Sequence, residues 1–203
     1  PPGLKPTPSR QFIGTGHAGG TILADGNALF PIYTGGKAYC LLYSTQSMNW
    51  TISKGVLGGE AQVVVLPNMS LYMNARNNDR SPGLNIRYGY ISSDNANTWG
   101  LPIHNGLVEP VGGCEGSTVR LEDSLYYTGP ANPTIRTTIV LWHSLTGFEW
   151  RPVTEVIKGP AGYSALAVSN RTDLHILVAV SKTYDVIFRP TKLVFKTISL
   201  KNP

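Results

Sequence analysis

"ISSDNANTW", residues 91–99, decides how this 203-residue chain is read. A strand-like run ends in serine, a polar turn follows, and a tryptophan closes the turn. Two other stretches repeat the plan: "YSTQSMNW" ends at Trp50 and "HSLTGFEW" at Trp150. The three tryptophans stand about 50 residues apart, the spacing of units of roughly four strands in propeller architectures. At that period the chain has room for about four blades. A β-sandwich with coincidental tryptophans is the plainer alternative.

The rest of the chain agrees with an all-β class. Eight short runs carry β-branched and aromatic residues between turn-forming clusters: "NALFPIY", "AYCLLYS", "QVVVLP", "SLYMNAR", "IRYGYISS", "TTIVLWHS", "LHILVAVS" and "KLVFKTISL". Charged residues make up 14% of the chain beside 22 glycines and 15 prolines, a turn-rich globular composition. The net charge of +5 favours acidic partners, but it is scattered. With no Lys/Arg run it points to an anionic small molecule as readily as to nucleic acid, which is not expected as a partner. No run approaches the roughly 18 apolar residues of a membrane span. Cys40 and Cys114 read as buried free thiols, and His17, His104, His143 and His175 lack metal-ligand spacing. Neither a metal nor a cofactor is expected. Sequons at Asn49, Asn68 and Asn170 permit a lysosomal or secreted location.

Several segments, in order, carry a family resemblance. "SSDNANTW" resembles the Asp-box turn of sialidases, with Ala96 where glycine is usual and Asp94 as the turn's cap. "GGEAQVVVLP" resembles the segment of the catalytic glutamate and aligns Glu60 with it. "LYMNARNNDR" resembles an Asn-Ala-Arg-Asn-Asn segment whose arginine, here Arg76, meets the substrate carboxylate. "VGGCEGSTV" resembles Gly-Cys-Gln-Gly-Ser, with Glu115 in place of glutamine, and "YYTGPANPTIRTTIVLW" resembles the stretch of the last triad arginine, here Arg136. "GPAGYSALA" resembles the segment of the nucleophilic tyrosine, here Tyr163. The likeness spans nearly the whole chain and is nearest to animal lysosomal-type sialidases. It implies a six-bladed β-propeller and an exo-α-sialidase acting on terminal sialic acid of glycoconjugates, with retention through a tyrosyl intermediate.

The residue types suit that chemistry. A sialoside carries a carboxylate on its anomeric carbon, which repels a carboxylate nucleophile; a tyrosine nucleophile is the exception to the two-carboxylate plan. A phenol near pKa ~10 needs a base at neutral pH, and Glu60 supplies one. Arginine's planar fork matches a carboxylate with paired bonds. Taken singly, each residue has an ordinary reading: Glu60 as a turn carboxylate, Arg76 and Arg136 as surface arginines, Tyr163 as a packing tyrosine. Glu115 reads as structural or as a rim residue.

The sequence also departs from the family. No Phe/Tyr-Arg-Ile-Pro segment is present, Arg10 does not match it, and Asp25 sits in an ordinary turn rather than as the acid aspartate. The usual late Leu-Tyr-Glu becomes "VAV" at Val178 to Val180, with Asp185 close enough to stand in. Residues 1–203 are therefore expected to form a partial propeller domain lacking its N-terminal blades. A missing segment or a second chain would complete it, and alone it would be inactive. The other functional class is a non-catalytic sialidase-like propeller, acting as a sialic-acid lectin or an assembly component. The four site residues are expected to converge at the propeller axis.

Overall fold

A computed structural model describes residues 12–16, 19–78, 85–184 and 189–200. They form strands and no helix. The first sheet contains β1 (Gly14–Thr15), β2 (Thr21–Ile22), β3 (Ala28–Thr34), β4 (Lys37–Ser44), β5 (Asn49–Ile52) and β6 (Val56–Leu57). Its spine runs β1-β3-β4-β5, with β2 paired to β3 and β6 to β4. The second comprises β7 (Ala61–Val65), β8 (Leu71–Ala75), β9 (Ile86–Ser92) and β10 (Ile103–Val108), ordered as in the chain. The third runs in chain order through β11 (Ser117–Leu121), β12 (Ser124–Pro130), β13 (Thr137–Ser144), β14 (Arg151–Ser169), β15 (Asp173–Val180) and β16 (Lys192–Ser199). Neighbours pair antiparallel, as expected where short turns join consecutive strands.

Strand β14 changes partner midway. Residues 151–160 pair with β13, and residues 161–169 pair with β15. The switch comes at Gly159, whose φ of +94° suits a residue without Cβ. One strand thus closes one antiparallel unit and opens the next. Its outer half was not legible as a strand, because Pro152 and Pro160 break the apolar pattern. An outer strand tolerates prolines, since the N–H they lack is not needed by a further neighbour.

The repeated turns have a common physical cause. Ser44, Ser92 and Ser144 end β4, β9 and β13, and each hydroxyl accepts a backbone N–H of its turn: Ser47 at 3.2 Å, Ala96 at 3.0 Å and Gly147 at 2.9 Å. In the middle turn Asp94 adds bonds from Thr98 N at 2.9 Å and Thr98 Oγ1 at 2.6 Å. Each turn then delivers its tryptophan to a sheet face. Trp99 packs against a core cluster that includes Leu29 and Cys40 of the first sheet and Leu71 and Met73 of the second. Trp150 sits between Tyr72 and Tyr127, ring centroids 6.3 and 6.0 Å away, at the join of the second and third sheets. Trp50 rests on Tyr43 and Phe30 and stays 39% exposed.

The leading strands of successive units lie side by side. Gln62 of β7 donates to Ser117 Oγ of β11 at 3.3 Å, and the same oxygen accepts Leu166 N of β14 at 2.8 Å. These bonds stitch β7, β11 and the second half of β14 around one line. The site lies at the end of that line where the strands begin.

Candidate functional site

Glu60 and Arg76 are brought together by backbone before their side chains meet. The β7–β8 ladder ends at Ala61 opposite Ala75, and one step further Arg76 N donates to Glu60 O at 2.9 Å. Gly59 N in turn donates to Arg76 O at 2.8 Å. The turn into this pair needs glycine at position 58: φ is +141°, and a Cβ there would stand 2.9 Å from that of Ala75. Opposed in this way, Arg76 Nη1 reaches Glu60 Oε2 at 2.5 Å. Glu60 is buried and Arg76 half-buried.

Tyr163 arrives from the third sheet through a bulge. Ala161 pairs with Val180 and Ser164 with Val178, so β14 carries one residue more than β15 between those points. Such an insertion re-aims a side chain. The phenol then donates to Glu60 Oε1 at 3.0 Å and accepts from Arg76 Nη1 at 3.3 Å. Arg136, just before β13, completes the group: its guanidinium carbon is 5.4 Å from the Tyr163 ring centroid. The four expected residues, Glu60, Arg76, Arg136 and Tyr163, therefore meet in one place.

A loop over residues 110–116 holds both arginines by its carbonyls. Gly112 O accepts Arg76 Nε at 3.3 Å and Nη2 at 2.8 Å, and Gly113 O accepts Arg136 Nη2 at 3.2 Å. The same loop delivers Glu115, which is not a rim residue: it is 4% exposed and feels the charge of Glu60. Burial, and then that charge, push its carboxyl up to about 8. Glu115 and Tyr163 share a cavity of about 300 Å³ with Leu177 and Ala179. A larger cavity of about 410 Å³ opens at the other end of the inner strands, by Val65 and Arg120, away from the tyrosine.

The Tyr163 phenol is pushed up to about 12, by burial first and then by Glu60, while Arg76 and Arg136 pull it back. At neutral pH it keeps its proton until a base removes it, and Glu60 Oε1 already accepts that hydrogen. The arrangement can therefore generate an oxygen nucleophile and hold an anionic group beside it.

Other expectations fall elsewhere. Asp25 occupies a turn, bonded to Asn27 N at 3.0 Å, away from the site. Val178 and Val180 are core residues of β15 and supply no acid. Asp185, Arg10 and His17 lie outside the described residues. Cys40 and Cys114 are free and buried. Two features escaped the sequence reading. Tyr33 of β3 lies near enough to Glu60 that burial and then that charge raise its pKa. Arg87 and Glu109 form a buried ion pair behind the site. Strand parity gave no signal for them: in "IRYGYIS" Arg87 and Gly89 are buried on one face and Tyr90 and Ser92 on the other.

Residues 1–176 match the BNR repeat-like domain. The chain belongs to that family. This BNR repeat-like chain superposes on the Hadza microbial sialidase Hz136 with a TM-score of 0.76 and 24% identity, covering 96% of this chain and 39% of that one. The NanB sialidase of Streptococcus pneumoniae gives 0.66 and 17%, covering 89% and 29%. An alpha-L-arabinanase of Penicillium chrysogenum gives 0.57 and 14%, covering 90% and 61%. These likenesses establish the propeller fold and set the sandwich aside. The chain spans well under half the length of the two sialidases it matches. No curated protein matches it.

Proposed function

We propose that this BNR repeat-like chain carries the sialic-acid site of an exo-α-sialidase that works with retention. The observation that supports this most is Tyr163 Oη, placed between Glu60 Oε1 at 3.0 Å and Arg76 Nη1 at 3.3 Å. Arg76 and Arg136 bind the sugar carboxylate and set the anomeric carbon against the phenol. Glu60 takes the phenol proton as the oxygen–carbon bond forms and the glycosidic bond breaks. The departing oxygen takes a proton from an acid that the resemblance places outside the segments found here. Water then attacks the anomeric carbon of the tyrosyl intermediate, giving a proton to the acid that had protonated the departing oxygen, while the phenol leaves and regains its proton from Glu60. Guanidinium charge beside the ring offsets the burial that makes phenolate costly.

The ring is proposed to be six-bladed, with four blades in this chain. Exposed Phe30 and Trp50 on the first sheet and Leu193 and Phe195 on β16 are faces that further sheets, from more chain or a partner, would cover. Those faces also suit the second reading, a non-catalytic sialidase-like lectin or assembly component. A lysosomal or secreted setting is proposed on exposed sequon residues Asn49, Asn68 and Asn170. The test between enzyme and lectin is Tyr163→Phe in the whole protein, assayed on an aryl sialoside. The enzyme reading expects turnover to fall at least about a thousandfold with sialic-acid binding kept, since only a transition-state oxygen is lost. Unchanged turnover refutes the nucleophile, and no turnover in either protein with binding kept supports the lectin.

A further inference from the structure

Behind the site, Arg87 of β9 and Glu109 just after β10 form an ion pair whose side chains are 1% and 2% exposed. Neither carries an assigned role, and what they hold is specific. Glu109 Oε2 accepts Asn77 N at 2.7 Å, the amide directly after Arg76. Arg87 donates from Nη1 to Glu109 Oε1 and to Cys114 O at 2.8 Å, and from Nε to Asn74 Oδ1 at 2.8 Å. Cys114 follows Gly112 and Gly113, whose carbonyls fix Arg76 and Arg136. The two gripped segments also touch: a Cβ on Gly113 would stand 2.3 Å from Asn77 O. Arg87 further lies over the Tyr127 ring at 5.1 Å.

We propose that the Arg87–Glu109 pair is the positioning device for the site's arginines, locking together the two backbone segments that aim Arg76 and Arg136 at a bound carboxylate. A buried ion pair adds little stability over apolar residues of the same volume, so stability alone is a weak reason for one here. A planar fork with several fixed acceptors gives geometry that an apolar pair cannot. The consequence for a carboxylate ligand rests on the sialidase reading; the aiming of the arginines does not.

Arg87→Lys in the full chain tests this, because it keeps the charge opposite Glu109 and loses the fork. Sialic acid affinity, measured by calorimetry, is expected to weaken about 10- to 100-fold, the scale of an ångström-level misplacement. Ile176→Val, a core substitution that makes none of the Arg87–Glu109 contacts, is the control for stability and leaves affinity unchanged. In parallel, the Arg76 Nε–H resonance, bonded to Gly112 O, shifts or broadens in Arg87→Lys and not in Ile176→Val. Folded Arg87→Lys with wild-type affinity and an unmoved Arg76 resonance overturns the proposal. If the wild type does not bind sialic acid, the sialidase reading fails and the Arg76 resonance alone decides. If Arg87→Lys does not fold, Glu109→Gln takes its place with the same two readouts. Should that fail too, amide exchange in the wild type decides: Asn77 and residues 112–115 exchanging at open-loop rates overturns the idea, and strong protection upholds it.

Discussion

Replacing Glu115 by glutamine removes an ionisable carboxyl from beside Glu60 while keeping its shape. Burial, followed by the Glu60 charge, holds that carboxyl at about 8 against an ordinary 4.5, with Arg87 and Arg76 pulling the other way. A pKa raised on folding favours the fold while the group is protonated. Its contribution is complete below the unfolded value and is lost as pH rises from 4.5 toward 8. At about 1.4 kcal/mol per pH unit the ceiling over that window is ~5 kcal/mol, and solvent relaxation around the site leaves on the order of 2–3 kcal/mol. A domain of this size moves about 2–4 °C in Tm per kcal/mol. Thermal unfolding followed by circular dichroism from pH 4.5 to 8.5 reads the difference directly. The wild type should lose about 5–10 °C relative to Glu115→Gln across the window. Glu109 and Cys114, also raised by burial, are present in both proteins and cancel. Parallel Tm curves, or a glutamine variant less stable at pH 8, would refute the reasoning.

Arg136→Lys should weaken sialic-acid binding on the order of tenfold or more in a calorimetric titration, because an ammonium cannot both hold Gly113 O and present a fork. Unchanged affinity would remove Arg136 from the binding site. Cys114, pushed up to about 12 by burial, and Cys40, also raised by burial, should both resist a thiol reagent in the native protein and react fully once it is denatured. Native labelling of either would contradict the packing.

How much of this was legible in the sequence depended on where each signal is stored. The Trp50, Trp99 and Trp150 repeats are local patterns with a fixed period, and they were enough for the class and the unit length. Tyr163, Glu60, Arg76 and Arg136 were picked out as candidates through segment likeness alone; nothing in composition distinguishes Arg76 from a surface arginine. Their meeting depends on ladders and a bulge that bring residues 60, 76 and 163 together, which a linear reading cannot measure. The sequence left Glu115 open between a structural and a rim position, because its neighbours, Cys114 and Gly116, say nothing of its burial or of the Glu60 carboxylate near it. Arg87 and Glu109 were passed over for the same reason. Each is an ordinary charge until β9 and β10 are paired, and only then do both face inward.

The central claim is that Tyr163 Oη is the nucleophile of a sialidase-type site. The most direct measurement is trapping with a fluorinated sialosyl donor, whose slowed second step lets the covalent intermediate accumulate, followed by peptide mass spectrometry of the whole protein. The account predicts one sialosyl adduct on the peptide containing Tyr163, absent in Tyr163→Phe. A protein that turns over sialosides yet carries its adduct on another residue, or none under trapping conditions, would contradict it.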